Sequence, residues 1–186
     1  MHDTIEKNGR TYRVDIEYDS NMGAPWEEND GHGIVSKWTT RGKRAGERLL
    51  VIGQSYGMSG NRRFYDYAGT IKKAHAESWG LSDTKRATLA ARLKRKPTAR
   101  EITAEAVCLD FEYLNRWCDD KWNWCGVIVT DVTDDGSAPM DYYHAVWGFS
   151  SEDDEGQEEC AHVVVRQIEY ERAVNNRFTD AMACGI

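Results

Sequence analysis

The chain of 186 residues carries 24 Lys and Arg against 31 Asp and Glu, and 40% of its residues are hydrophobic. This composition fits an ordered globular domain, and the lack of a run of about 18 apolar residues excludes a transmembrane helix. The N-terminus has neither a basic start nor an apolar stretch, so we expect no signal peptide and a cytoplasmic protein. The five cysteines include no CxxC motif, so neither a disulfide framework nor a zinc ribbon is expected.

Residues 1–53 are predicted to form strands. Residues 11–18 alternate between apolar and polar side chains, which is typical of a half-buried strand. The apolar face of this strand consists of Tyr12, Val14, Ile16 and Tyr18. Asn8-Gly9 before it indicates a hairpin turn to a short strand at residues 4–6. The next strand candidates are residues 33–39 and 48–52, and the predicted loops are residues 20–33 and 53–60.

A helical region is predicted at residues 62–120. The helical period begins at Asn61, and the first helix has a stripe that runs from Phe64 to Trp79. The second helix begins near Ser82 and ends before Pro97, which cannot continue it. The third and longest helix begins at a capping box, Thr98-Ala99-Arg100-Glu101, and reaches about residue 119.

Residues 124–130 are continuously apolar and are predicted to form a strand buried on both faces, with residues 141–149 as its antiparallel partner. The tight turn between them lies at residues 133–137. A last helix is predicted at residues 154–182, although Val163-Val164-Val165 could instead be strand. Its apolar stripe is Cys160, Val163, Val164, Ile168, Tyr170, Val174, Phe178 and Met182. This order predicts a single α+β domain over the whole chain, with a mostly antiparallel sheet packed against about four helices.

The charges are distributed unevenly along the chain. Residues 62–100 contain eleven Lys or Arg against three Asp or Glu, whereas residues 101–186 contain five against nineteen. Residues 131–159 contain ten acids, among them Asp131 and Asp141, and no Lys or Arg. We predict one acidic surface that binds a partner. The residues expected at this contact are Asp134, Asp135, Glu152, Asp153, Asp154, Glu155, Glu158 and Glu159.

Spaced carboxylates of this kind can imitate a phosphate backbone. They can then dock on a protein groove that normally holds nucleic acid, because such grooves carry matching positive potential. The alternative interpretation is that the acids only keep the protein in solution. If they form a docking surface, its association is salt-sensitive and is weakened by charge reversal at Asp153, Asp154 and Glu155.

The basic segment supports an alternative function, which is nucleic-acid binding by the predicted helix pair at residues 85–100. The residues that would contact phosphates are Arg92, Lys94, Arg95, Lys96 and Arg100. A solvated basic face is the simpler interpretation. The sequence pI of about 5.3 also lies far below the value typical of nucleic-acid-binding domains.

Motifs of catalysis are absent from the sequence, so we expect a protein that is not an enzyme, without catalytic residues, metal or cofactor. Asp110 projects into the apolar arc of the third helix, either as a catalytic acid or as a structural link to Tyr, Trp or Arg. His75 is expected to be a hydrogen-bonded core histidine. The loop from Glu27 to His32 is a weak metal candidate. A small enzyme with a carboxylate site would need a pocket that joins Asp110 to this loop.

Four stretches of the chain resemble a loose group of uncharacterised bacteriophage proteins. They are MGAPWEENDGHG at residues 22–33, FYDYA at 64–68 with WGL at 79–81, RWCDDKWNWCGV at 116–127, and AVWGF at 145–149. The resemblance carries no assigned reaction and no catalytic residue. It implies a small acidic accessory protein in the cytoplasm of an infected bacterium, acting stoichiometrically on a host machine.

These observations together predict a non-enzymatic, protein-binding inhibitor of a host nucleic-acid-handling or antiviral defence complex. A restriction or CRISPR effector would suit the acidic, DNA-mimicking surface. The expected partner is therefore a host protein complex, with nucleic acid as the alternative and no membrane. The sequence does not indicate an oligomeric state.

Overall fold

The computed structural model describes residues 3–53, 57, 60–132 and 143–183. The chain divides into two compact units. The sheet unit consists of Met1–Met22 and Trp122–Ile186, and the helical unit, Gly23–Lys121, is inserted between these two segments. Within the described residues, five helices and two antiparallel sheets confirm the predicted α+β class. The interpretation of the chain as one domain stays a prediction.

The helices and strands follow one another along the chain in a simple order. In the first half they are β1 (Asp3–Lys7), β2 (Arg10–Tyr18), α1 (Pro25–Glu28), β3 (Glu47–Ile52), β4 (Arg62–Asp66) and α2 (Tyr67–Ala76). In the second half they are α3 (Asp83–Leu93), α4 (Ala99–Cys118), β5 (Trp124–Val132), β6 (Tyr143–Ser150) and α5 (Asp154–Ala183). Among the described residues, no helix has the length and apolar character needed to cross a membrane.

The sheet unit is a four-stranded antiparallel sheet with the order β1-β2-β5-β6. Asn8 and Gly9 have φ of 52° and 73°, as a two-residue hairpin turn requires, so the predicted hairpin is confirmed. All residues of β5 from Trp124 to Asp131 are buried, as its continuous apolar run predicts. The predicted pairing of β5 with the strand after it is also confirmed. The predicted turn at residues 133–137 lies outside the described residues.

One face of this sheet packs against α5. Its core is built from Tyr12, Val14, Val127, Val129, Ala161, Val164, Val165 and Ile168. The helical contacts recur at intervals of three and four residues, so the alternative of a strand at residues 163–165 is wrong. The predicted stripe is rotated from the observed one, since Val163 and Tyr170 are 47% and 66% exposed. The side chains of Phe178 and Met182 lie outside the described ones.

A buried ion pair closes one end of this core. Arg172 of α5 binds Asp131 of β5, whose side chain is only 2% exposed, and Arg10 of β2 reaches the same carboxylate oxygen at 3.3 Å. The hydroxyl of Tyr12 donates a hydrogen bond to Glu169. Burial and this carboxylate raise the pKa of Tyr12 to about 12, so the hydroxyl remains a donor. Asp131 therefore does not belong to the predicted acidic surface, because it is buried and paired with arginine.

We expect Arg172→Met to lower the free energy of unfolding of the sheet unit by about 3 kcal/mol, because it leaves the buried carboxylate of Asp131 with one partial partner. Urea denaturation measures this loss. Arg166→Met, which removes an exposed arginine from the same helix, serves as the control and changes stability by less than about 0.5 kcal/mol. Equal effects of the two substitutions would show that the buried pair contributes nothing.

The helical unit packs α2 and α4 around the hairpin of β3 and β4. Its buried cluster consists of Leu50, Tyr65, Ala74, Val107 and Leu114. The prediction of a helix from residue 61 is wrong for residues 62–66, which form β4 and pair with β3. Asp66 instead caps α2, accepting a hydrogen bond from the backbone N–H of Gly69 at 2.8 Å. The apolar spacing suits a helix locally, but pairing with a distant strand overrides it.

Two further predictions for the helical unit need correction and two are confirmed. Residues 33–39 form isolated bridges to β4 at Val35 and Thr39 rather than a named strand. The predicted loop at residues 20–33 contains the short helix α1. Ser82 caps α3, and Thr98 with Glu101 forms the predicted capping box of α4.

Candidate functional site

The acidic segment at the start of α5 is exposed. All six described acids among the predicted contact residues, Glu152, Asp153, Asp154, Glu155, Glu158 and Glu159, are exposed to solvent. Asp153 precedes the helix, and its Oδ1 accepts a hydrogen bond from the backbone N–H of Gly156 at 3.1 Å. Asp154 and Glu155 lie in the first turn, where the helix dipole favours negative charge. The other two predicted contact residues, Asp134 and Asp135, lie outside the described residues.

Four acids of α5 form no ion pair with the residues that the structure describes. Asp154, Glu155, Glu158 and Glu159 form no ion pair with Lys, Arg or His in the part of the chain that the structure describes. They also repeat at intervals of four residues, so they share one side of the helix. Like charges at this spacing destabilise an isolated helix by roughly 0.2–0.5 kcal/mol per pair. Their charge is therefore available to a binding partner.

A groove in the sheet unit lies beside these acids. Its volume is about 640 Å³, and it is lined by β1, β2 and the first turns of α5. Its apolar lining comprises Ile5, Val14, Ile16 and Ala161. Its exposed acidic lining comprises Asp3, Glu6, Asp154 and Glu158. We call this feature the acidic groove.

The contribution of β1 to this groove could not be predicted from the sequence. Asp3 and Glu6 are about 150 residues from α5 along the chain, so no local pattern connects them to it. The hairpin register, which pairs Ile5 with Tyr12, places β1 beside β2. Knowledge of that register, together with the side of α5 that packs against β2, would have identified Asp3 and Glu6.

The chemistry of the acidic groove favours a cationic partner with an apolar part. Four carboxylates attract Lys or Arg, and the apolar lining offers contact to an aliphatic side chain or to the stem of the basic residue. His162 also borders the groove, and it is exposed. Among the described residues, no group of three or more His, Cys, Asp or Glu is arranged to hold a metal ion.

The basic helix pair is partly neutralised. Nη2 of Arg92 lies 2.5 Å from Oε2 of Glu105. Arg95 makes two hydrogen bonds to Glu101, at 2.5 and 2.9 Å. Lys94 lies at the C-terminal cap of α3, with φ of 55°. Lys94, Lys96 and Arg100 are exposed, but the acids of α4 offset the charge of the two arginines.

Glu101 gives this region a defined pH dependence. The guanidinium of Arg95 and the backbone and hydroxyl of Thr98 lower the pKa of Glu101 to about 2, from an ordinary value of 4.5. A carboxyl whose pKa is lowered by folding stabilises the folded state above its unfolded pKa. This contribution is therefore complete above about pH 5 and is lost as the pH falls from 4.5 towards 2.

We expect Glu101→Gln to destabilise the helical unit at pH 7 and to have little effect near pH 2, where the wild-type carboxyl is becoming protonated. Thermal denaturation of both proteins across this range measures the difference. Glu112→Gln, at an exposed position of the same helix, is the matched control with a small and nearly constant effect. A difference at Glu101 that stays constant from pH 7 to pH 2 would contradict the assignment.

Asp110 has the structural links that its apolar surroundings require. Its Oδ2 accepts hydrogen bonds from the hydroxyl of Tyr65 at 2.7 Å and from the backbone N–H of Gly33 at 2.9 Å. Its Oδ1 lies 2.7 Å from Nδ1 of His32. The predicted link to tyrosine is therefore present. The same carboxylate also contacts His32, which the sequence suggested only as part of a possible metal-binding loop.

The other two candidates are His75 and the loop from Glu27 to His32. His75 is exposed, so its prediction as a core histidine is wrong. The buried face of α2 carries Thr70 and Ala74, and His75 lies about 100° from Ala74 around the helix. The acids of the Glu27 to His32 loop do not converge. Glu27 pairs with Arg63 at 3.0 Å, and Glu28 accepts a hydrogen bond from the backbone of Gly23.

Comparison of the chain with protein-family models, with curated proteins and with solved structures finds no match. The resemblance to bacteriophage accessory proteins therefore stays a prediction. The function must be inferred from the two units themselves.

Proposed function

We propose that this protein is a non-enzymatic inhibitor that binds a cationic surface of a host nucleic-acid-handling or antiviral defence complex through its acidic groove. One observation carries the proposal. Four carboxylates without described ion-pair partners repeat along the exposed side of α5, next to an apolar groove whose far side adds two more acids. Restriction and CRISPR effectors are suitable targets, since their channels carry rows of Lys and Arg that bind phosphates.

The physical case rests on charge complementarity. A protein groove that holds nucleic acid presents positive potential, and carboxylates of a competing protein can occupy the same positions. Solubility alone needs acids spread over a surface, whereas Asp154 and Glu158 border apolar side chains. Unlike a phosphate backbone, the acidic groove also has an apolar lining that can pack against the side chains of a bound protein. This lining favours a protein partner over a simple counter-ion. The resemblance to bacteriophage proteins supports the choice of a bacterial target.

We expect the double charge reversal Asp154→Lys with Glu158→Lys to weaken partner binding at least tenfold, because each change replaces an attraction by a repulsion at the edge of the groove. The measurement is capture of partners from a bacterial host lysate at low and high salt, followed by mass spectrometry and titration of the purified target. Binding by the wild-type protein is expected to fall steeply as salt rises.

The matched control reverses two exposed acids that do not line the groove, Glu17 and Glu112, and therefore has the same net charge. It should bind the target as the wild type does. Equal weakening by the control would mean that only net charge matters, and unchanged binding by the groove variant would remove the groove from the proposal.

Nucleic-acid binding by the basic helix pair is the alternative function. The ion pairs of Arg92 with Glu105 and of Arg95 with Glu101 leave three of the five candidate residues without a described carboxylate partner. We therefore expect no gel shift of DNA or RNA at low salt and micromolar protein. A shift that disappears on Lys94→Ala, Lys96→Ala and Arg100→Ala would support the alternative against the acidic-groove proposal.

A further inference from the structure

His32 and Asp110 form a closely held pair in the helical unit. Nδ1 of the imidazole lies 2.7 Å from a carboxylate oxygen whose partner oxygen already accepts two hydrogen bonds. Burial and the nearby carboxylate raise the pKa of Tyr65 well above its ordinary value, so its hydroxyl keeps donating to Asp110. Because a carboxylate only accepts hydrogen bonds, Nδ1 donates to Asp110, and in the neutral form of the ring the lone pair then lies on Nε2.

The imidazole of His32 is also held in position by its other neighbours. Its ring stacks on Tyr113, with centroids 5.6 Å apart and planes inclined by 12°. Its backbone oxygen accepts a hydrogen bond from Nζ of Lys73 at 2.6 Å. Nε2 has no hydrogen-bond partner among the residues that the structure describes. A ring nitrogen with a fixed orientation and a free lone pair is suited to accept a hydrogen bond from a donor group of a bound ligand.

This pair borders an open cavity of about 400 Å³, a volume typical of small-molecule sites. Trp79 and Leu109 contribute apolar surface to its wall. Lys85, on the first turns of α3, contributes the positive charge. The cavity lies entirely within the helical unit and joins Asp110 to the loop that ends at His32, which is the condition that the carboxylate-site alternative required.

We propose that this cavity binds a small molecule that combines a flat ring, a hydrogen-bond donor and a negative charge, the chemistry of a nucleoside monophosphate. In this arrangement Nε2 of His32 accepts the donor hydrogen, and Lys85 binds the anionic group. The ring lies against the apolar wall that includes Trp79. Asp110 acts as a positioning residue, because it fixes the proton on Nδ1. The proposal concerns the helical unit and does not depend on the acidic groove.

The test is titration of the ¹⁵N-labelled full chain with adenosine and uridine 5′-monophosphate, read from the imidazole signals of each histidine. We expect at least one nucleotide to shift the signals of His32 in a saturable way. Lys85→Met should weaken this binding roughly five- to tenfold, since it removes an exposed counter-charge without touching the core. Lys72→Met, at an exposed position of α2, is the matched control and should bind as the wild type does.

Asp110→Asn tests the positioning role separately. The imidazole ¹⁵N shifts of the wild type should report a proton on Nδ1, and the variant should show a mixture of the two tautomers. An unchanged tautomer would overturn the role of Asp110. For the site itself, no saturable shift with either nucleotide, equal binding by Lys85→Met, or equal shifts with inorganic phosphate alone would each overturn the proposal.

Discussion

The pairing of β2 with β5 is the interaction on which the rest of this structure depends. It joins residues 11–18 to residues 125–132, across a separation of more than a hundred residues. The pairing places Tyr12 and Val14 beside Val127 and Val129, and these side chains form the surface that α5 covers. It also joins the two chain segments between which the helical unit is inserted. Without it, neither the core beneath α5 nor the acidic groove would form.

Elements that depend on local interactions could be predicted from the sequence. The capping box at Thr98 and the continuous apolar run of β5 indicated the correct elements, because each signal acts within a few residues. The predictions were wrong where a contact with a residue distant in the chain determines the local structure. β4 has helical spacing, yet it pairs with β3. Asp131 looked like a surface acid, yet its partner Arg172 lies 41 residues further along the chain.

The candidate sites show the same division. The exposed acids of α5 were predicted as a group, because they are adjacent in the sequence. The contribution of β1 to the groove and the pairing of His32 with Asp110, 78 residues apart, both require the folded chain. The two sites have opposite chemistry. The groove is lined by carboxylates and apolar side chains, whereas the cavity is bordered by His32 and Lys85; we propose a large cationic partner for the first and a small anion for the second.

The insertion of the helical unit also orders events during synthesis on the ribosome. The hairpin of β1 and β2 emerges before the helical unit, but β5, the pairing partner of β2, is completed 114 residues after β2 ends. At elongation rates of roughly 5–20 residues per second, the edge of β2 that pairs with β5 stays unpaired for on the order of ten seconds. The whole helical unit emerges during this interval. A nascent chain stalled before residue 124 therefore carries an unpaired strand edge that a chaperone could recognise.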